Sequence, residues 1–298
     1  MSPVCSVIIP AHNESGVIRR CLDSLLRHAS KGEFEIIVVA NGCTDDTAAS
    51  ARRAAALLDA PVSVIETSIP SKSNALNLGD SVARAFPRIY LDADIVLSSD
   101  AARRLATALQ DQPGQPPAAS ARLVVDVAGA SWPVRSFYRV WAMLPYTCLA
   151  LGGGMYALSA AGRARFSRFP SVTADDAFVR GHFAPHERPC VADCTFTVTA
   201  PRTLRGLLKI KTRSRRGNLE LQSALKDLPH AERFTNRSAL QHLALRPARW
   251  VDLLVYSFVT SYVRVAAFYK HCRGRHAQWE RDETSRQPLA APRWKEIR

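Results

Sequence analysis

The feature that most constrains this chain is an alternation, from Val4 to Leu91, between short apolar runs and longer stretches whose apolar residues recur at helical spacing. Val4 to Pro10, Glu35 to Ala40, Val62 to Glu66 and Arg88 to Leu91 read as strands, and Ser15 to His28, Thr47 to Leu58 and Asn74 to Phe86 as the helices between them. Strands joined by helical crossovers run parallel, and a parallel sheet needs cover on both faces. An α/β fold with a mostly parallel central sheet flanked by helices is therefore predicted. In open sheets of this kind ligands sit beyond the carboxyl ends of the strands. The loops that matter are then Pro10 to Glu14, Asn41 to Thr47 and Asp92 to Asp94.

After Leu91 the rhythm loosens. Gln110 to Ala119, rich in Pro and Gln, reads as a surface loop dividing two halves. Beyond it, Phe137, Tyr138, Trp141, Met143 and Tyr146 lead into Gly152, Gly153 and Gly154. Aromatics followed by a glycine turn suit a ligand pocket, and a core helix with its stop signal is the equally plain alternative. A formal net charge of +14 and a pI near 9.9 call for an anionic partner: a nucleotide, an anionic membrane or a nucleic acid. No helix-turn-helix, RNA-recognition or zinc-finger pattern supports the last, so no nucleic-acid partner is expected. The seven cysteines are odd in number and scattered, which suits a reducing cytoplasm better than a disulfide framework. The opening MSPVCSVIIPAHNE has no basic leader before its short apolar run, so secretory export is not expected. A dinucleotide-binding dehydrogenase needs a glycine fingerprint where this chain has Pro10-Ala11-His12-Asn13-Glu14.

Chemistry concentrates in two acidic pairs. Asp92-Ala93-Asp94 ends an apolar strand, and two carboxylates one residue apart at a strand end can present Mg²⁺ or Mn²⁺ to phosphate oxygens. Asp175-Asp176 precedes a short helix, where carboxylates suit the first turn and where one can also serve as a base. Between Arg202 and Arg216, Arg205, Lys209, Lys211, Arg213 and Arg215 stand without an acidic residue, as a phosphate clamp or a solvated basic face would. His182, His186, Cys190 and Cys194 recur every four residues, but Cys190 to Thr199 reads as a strand rather than a zinc knuckle.

In order and spacing, VCSVIIPAHNESGVIRRCLDSLL, VVANGCTDDTA, SKSNALNLG, IYLDADI, LGGGMYALS and TADDAFV resemble the motifs of the family 2 glycosyltransferases. The resemblance covers roughly residues 4 to 220. It implies a GT-A nucleotide-binding fold and a non-processive, inverting transferase that moves a sugar from a nucleoside diphosphate, with UDP favoured, to an acceptor hydroxyl. That acceptor would be a sugar, a lipid-linked sugar or a polysaccharide precursor. By the same resemblance Pro10, Ala11, Asn13, Glu14, Asn41, Lys72, Asp92, Arg213 and Arg216 would bind the donor. Asp94 with Asp92 would hold Mn²⁺ or Mg²⁺, Asp176 beside Asp175 would be the base, and Trp141 with Gly152, Gly153 and Gly154 would meet the acceptor. Asn41 departs from the family's usual aspartate, and Gly217 stands where processive synthases carry tryptophan. An inactive relative acting as a binding subunit, the rival reading, would have no need of Asp92, Asp94 and Asp176. The expected organisation is a catalytic domain over 1–230, with a donor half at 1–110 and an acceptor half at 120–230, followed by a helical extension over 231–298.

Arg249 to His271 is long and apolar enough to span a membrane, but Asp252 and Arg264 interrupt it. On a helical wheel Arg249, Ser257, Thr260, Arg264 and His271 gather on one side and Val251, Leu254, Val255, Phe258, Tyr262, Val265 and Tyr269 on the other, with Leu253 and Phe268 off pattern. Followed by Lys270, Arg273 and Arg275, such a helix suits the interface of an anionic leaflet at the cytoplasmic face, or packing on the domain.

Overall fold

A computed structural model describes residues 2–110, 112, 114–144, 151–172, 174–224, 228–230 and 237–272. Tyr146, Arg273 and Arg275 lie outside the described residues. Strands β1 (Cys5–Ala11), β2 (Phe34–Asn41), β3 (Val62–Thr67) and β4 (Arg88–Leu91) lie parallel in the order β3-β2-β1-β4. Their crossovers are α1 (Ile18–Leu26), α2 (Thr47–Leu57) and α3 (Lys72–Val82). Helix α3 starts earlier than periodicity suggests because Ser71 caps it, its hydroxyl accepting the Asn74 N–H at 3.2 Å. It stops at Val82 rather than Phe86 because the next donors, the N–H groups of Arg84 and Ala85, are taken by the Glu35 carboxylate.

The second half departs from the parallel pattern. Beyond β5 (Ile95–Leu97), α4 (Ser99–Ala108) and β6 (Ala118–Asp126) come α5 (Trp132–Trp141), β7 (Met155–Leu158), the short α6 (Ala160–Arg163) and α7 (Asp175–Arg180). Strand β8 (Cys190–Thr199) and helices α8 (Leu204–Ala224), α9 (Arg237–Ala244) and α10 (Trp250–Cys272) follow. Strand β7 runs antiparallel to β4, β6 antiparallel to β7, β8 parallel to β6 and β5 antiparallel to β8, which extends the sheet to β3-β2-β1-β4-β7-β6-β8-β5.

Period-two alternation explains the layering. On β1, Val7 and Ile9 face one core with α1, α2 and α4, while Ile8 faces a second with α3 and α7. A third core lies off the sheet, where Val134, Phe137 and Tyr138 of α5 meet Leu207 of α8 and Tyr256, Val259 and Val263 of α10. This core crosses residue 230, so α10 is packed on the preceding helices as well as following them.

The two fates open to α10 turn out to be shared between its faces. A narrow stripe, Asp252, Tyr256, Val259, Val263 and Ala267, is buried against α5 and α8. The apolar side of the wheel stands largely outside, with Leu254 71%, Phe258 60%, Val265 71% and Phe268 64% exposed. Asp252, which breaks the apolar run, is buried because it accepts from Ser136 Oγ at 2.6 Å and pairs with Arg139 at 3.0 Å and Arg249 at 3.3 Å. Among the described residues, Pro247–Cys272 is the one helical stretch long and apolar enough to cross a membrane.

Candidate active site

Three element ends place carboxylates and one ammonium at a single point. Lys72 opens α3, Asp92 leaves β4, and Asp175 and Asp176 open α7. Lys72 Nζ lies 2.7 Å from Asp92 Oδ1 and 2.9 Å from Asp175 Oδ1. Burial opposes the Lys72 charge, but Asp175 and Asp92 outweigh it and hold the ammonium above its ordinary range. Burial, with Asp175 and Asp94 nearby, pushes the Asp92 carboxyl upward against the pull of Lys72. Two carboxylates thus share one cation, with Asp94 close enough to add to the negative potential at Asp92.

The glycine turn is part of the same construction. Asp92 N–H donates to Gly154 O at 2.9 Å, and a Cβ on Gly154 would come within 2.6 Å of Asp92 Oδ2. Gly153 N–H donates to Asp176 Oδ2 at 3.3 Å. Gly153 and Gly154 hold φ at +75° and +89°, conformations that favour glycine. Gly152 completes the turn through a bridge to Met155. Tyr156 OH donates to Asp175 Oδ2 at 3.3 Å, and its ring stacks on Tyr90 with centroids 4.9 Å apart.

These groups face a cavity of about 280 Å³. Lys72, Asp92, Asp94, Asp175 and Asp176 line it together with Trp141, Gly153, Gly154 and Arg213. Two further lining residues were missed as site residues. Arg180 lies one turn beyond Asp176 on α7 and donates to Leu151 O at 3.2 Å; that i, i+4 spacing was a legible signal. Lys211 sits among aromatic rings, a position that depends on how α8 packs.

Arg216 does not line the cavity. It is 4% exposed, with Nε 3.3 Å from Glu220, turned away from the face of α8 on which Lys211, Ser214 and Asn218 line the cavity. Pro10, Ala11, Asn13, Glu14 and Asn41 form a separate cluster at the ends of β1 and β2. Asn13, with φ +50°, accepts the Thr44 N–H at 2.6 Å, and Glu14 N–H donates to Thr47 Oγ1 at 2.7 Å. Asn41 Nδ2 donates to Ala11 O at 2.8 Å, which fixes the amide, since a flip would set two acceptors face to face. Among the described residues its buried Oδ1 has no hydrogen-bond partner.

Among the described residues no cluster of three His, Cys, Asp or Glu forms a protein-only metal cage. Asp94 with Asp92 fits instead the habit of Mg²⁺ and Mn²⁺, which take one or two carboxylates and fill their shell with phosphate oxygens and water. The Asp94 loop is steadied by Arg20, which donates to the Asp94 carbonyl at 3.2 Å.

Residues 6–148 match the family described as glycosyl transferase family 2. The chain is 35% identical over 105 residues to the glycosyltransferase EpsJ of Bacillus subtilis, covering 35% of this chain and 30% of that protein. It is 32% identical over 93 residues to a PGL/p-HBAD biosynthesis glycosyltransferase of Mycobacterium bovis, covering 31% and 36%. The chain therefore spans about a third of the length of these relatives. Among solved structures it superposes on the mannosyltransferase PcManGT from Pyrobaculum calidifontis, in complex with GDP-Man and Mn²⁺, with TM-score 0.66 at 20% identity, over 93% of this chain and 89% of that one. Glucosyl-3-phosphoglycerate synthase from Mycobacterium tuberculosis, with Mg²⁺ and UDP, gives 0.50 at 18% identity over 74% and 78%. At such identities the structural likeness is one of fold, and that fold is GT-A. Residues 6–148, whose strand ends carry the family's motifs in order, thus match glycosyltransferase family 2, and the chain is similar to members of that family.

Proposed function

We propose that the protein transfers a sugar from a nucleoside diphosphate to an acceptor hydroxyl in one inverting, metal-assisted displacement. The observation that supports this best is the meeting of Asp94 and Asp176 in one cavity, with Asp176 oriented by the Gly153 N–H. Asp176 takes the acceptor proton as the acceptor oxygen bonds to the anomeric carbon, and the bond from that carbon to the diphosphate breaks on the opposite face. Lys72 spends two of its three donors on Asp92 and Asp175, and the third serves a donor phosphate oxygen. Asp92 and Asp94 would hold Mn²⁺ or Mg²⁺, which when bound offsets charge on the leaving diphosphate.

Asn41 supports the donor assignment. Its Oδ1, buried and without a partner among the described residues, suits a base with a ring N–H, as in uracil or guanine, once the loops at the ends of β1 and β2 admit it, and opposes the ring acceptors of cytosine and adenine. UDP-sugars are the donors we favour. The exposed face of α10, on a chain of net charge +14, supports peripheral attachment to an anionic cytoplasmic leaflet.

The experiment is a nucleotide-sugar panel with Mn²⁺, followed by NMR of the product. UDP and GDP should raise the melting temperature more than CDP and ADP, and the product should have inverted anomeric configuration. Retained configuration would end the Asp176 mechanism, and full turnover after verified metal removal would end metal assistance.

A further inference from the structure

Helix α8 sends Lys211 toward the cavity from the side opposite the carboxylates. Its Nζ lies 4.5 Å from the ring centroid of Trp141, 5.3 Å from that of Tyr138 and 5.5 Å from that of Phe137. All three rings come from α5, at helical spacing. Their negative faces attract an ammonium without neutralising it. Among the described residues no carboxylate or hydrogen-bond acceptor pairs with Lys211, and burial pulls its pKa down to about 8. A lysine that merely fills space would turn its head to solvent. This one turns it into a cavity and keeps its hydrogen-bond donors unspent.

A second observation gives the direction of the ligand. Lys211, Trp141, Ser214 and Asn218 also line a neighbouring groove between α5, α8 and α10, again of about 280 Å³. The rest of that groove is largely apolar, with Phe137, Leu144, Tyr256, Val259 and Val263 in its walls. Arg213 stands on the catalytic side of the junction and Arg215 on the groove side, so positive potential is centred where the two spaces meet. From Asp176 outward the order is therefore base, cation and apolar trough.

We propose that Lys211 anchors the phosphate of an amphiphilic acceptor, a lipid-linked sugar phosphate, whose chain lies in the groove between α5, α8 and α10. The sugar end reaches Asp176, the phosphate meets Lys211 and the tail lies along the apolar wall formed by Tyr256, Val259 and Val263. The proposal rests on the transferase reading, because the hydroxyl presented to Asp176 is the one that reading requires.

The test uses the full chain and three probes below their aggregation limits: dodecyl phosphate, inorganic phosphate and dodecanol, each titrated calorimetrically. UDP with Mn²⁺ is titrated in parallel. Dodecyl phosphate should bind at least about tenfold more tightly than either fragment. Lys211→Met should weaken it by about tenfold or more, the scale of one charge-assisted contact, and Lys211→Arg should largely restore it. Equal binding of dodecyl phosphate to the wild type and Lys211→Met would overturn the proposal. So would dodecanol binding as tightly as dodecyl phosphate, which makes the groove a tail site only, or inorganic phosphate doing so, which makes Lys211 a free-phosphate site. If Lys211→Met does not fold, the three-probe ranking on the wild type and Lys211→Arg still decides. UDP binding without dodecyl phosphate binding removes the acceptor proposal and leaves the transferase reading standing; loss of UDP binding by the wild type counts against the transferase reading itself.

Discussion

The two walls of the cavity hold their charges in opposite ways. On the wall proposed to meet the donor, Lys72 is locked between Asp92 and Asp175 at 2.7 and 2.9 Å. On the wall proposed to meet the acceptor, Lys211 leans on three rings and has no anionic partner among the described residues. A paired cation sets geometry, because each partner constrains the other. A cation held by π-faces keeps its charge for something that arrives later. Catalytic precision is thus expected on the first wall and ligand selection on the second.

The sharpest way to break this contrast is at Asp176. Asp176→Asn keeps the shape of that wall but removes the proposed base, so turnover should fall by about 10²- to 10⁴-fold while UDP binding persists. Steady-state transfer and calorimetry check the two halves of that statement. Gly154→Ala tests geometry alone. Its Cβ would meet Asp92 Oδ2 at 2.6 Å, and displacing that carboxylate should cost on the order of 10²-fold in turnover in a protein with an unchanged circular dichroism spectrum. Near-normal turnover would mean that the donor wall is more forgiving than its contacts imply.

Stability separates the walls more gently. Asp252→Ala removes the acceptor of Ser136 and the partner of Arg139 and Arg249, both partly exposed, so urea denaturation should show a loss of about 2–3 kcal/mol. The smallest effect lies at the far end of the donor sheet. Burial works against the Glu35 charge, but the Ser6 hydroxyl and the N–H groups of Arg84 and Ala85 outweigh it and hold the carboxyl at about 2. A depressed carboxyl stabilises the fold above its unfolded pKa and loses that contribution as pH falls toward the folded value. Glu35→Gln should therefore be about 1–2 kcal/mol less stable at neutral pH, and the two proteins should converge as pH drops from about 4.5 to about 2. A constant difference across that window would mean that packing, not ionisation, is what Glu35 contributes.

The donor wall was largely legible in the sequence because its chemistry is written in contiguous pieces. Asp92-Ala93-Asp94 and Asp175-Asp176 each end or begin an element, so placing the element placed the carboxylates. The acceptor wall was not, since Lys211 and Trp141 are brought together only by the packing of α5 against α8. Arg213 and Arg216 read alike as a basic pair, yet the turn of α8 sends one to the cavity and buries the other beside Glu220. The antiparallel direction of β6 and β7 also escaped periodicity, because pairing direction is settled by connections that short apolar runs do not encode. For α10 the wheel found the apolar side but had no way to know that a narrower stripe through Asp252 faces inward.

The glycine at 154 has a consequence on a longer timescale. Every single-base change in a glycine codon that yields another amino acid brings in a Cβ, and here that atom would land on the Asp92 carboxylate. Position 154 therefore has no neutral neighbour from which to wander. If the proposed transfer is what selection keeps, a lineage that loses this glycine must either abandon it or rebuild the aspartate's surroundings in the same step, so drift at this codon should mark the descendants that have given it up.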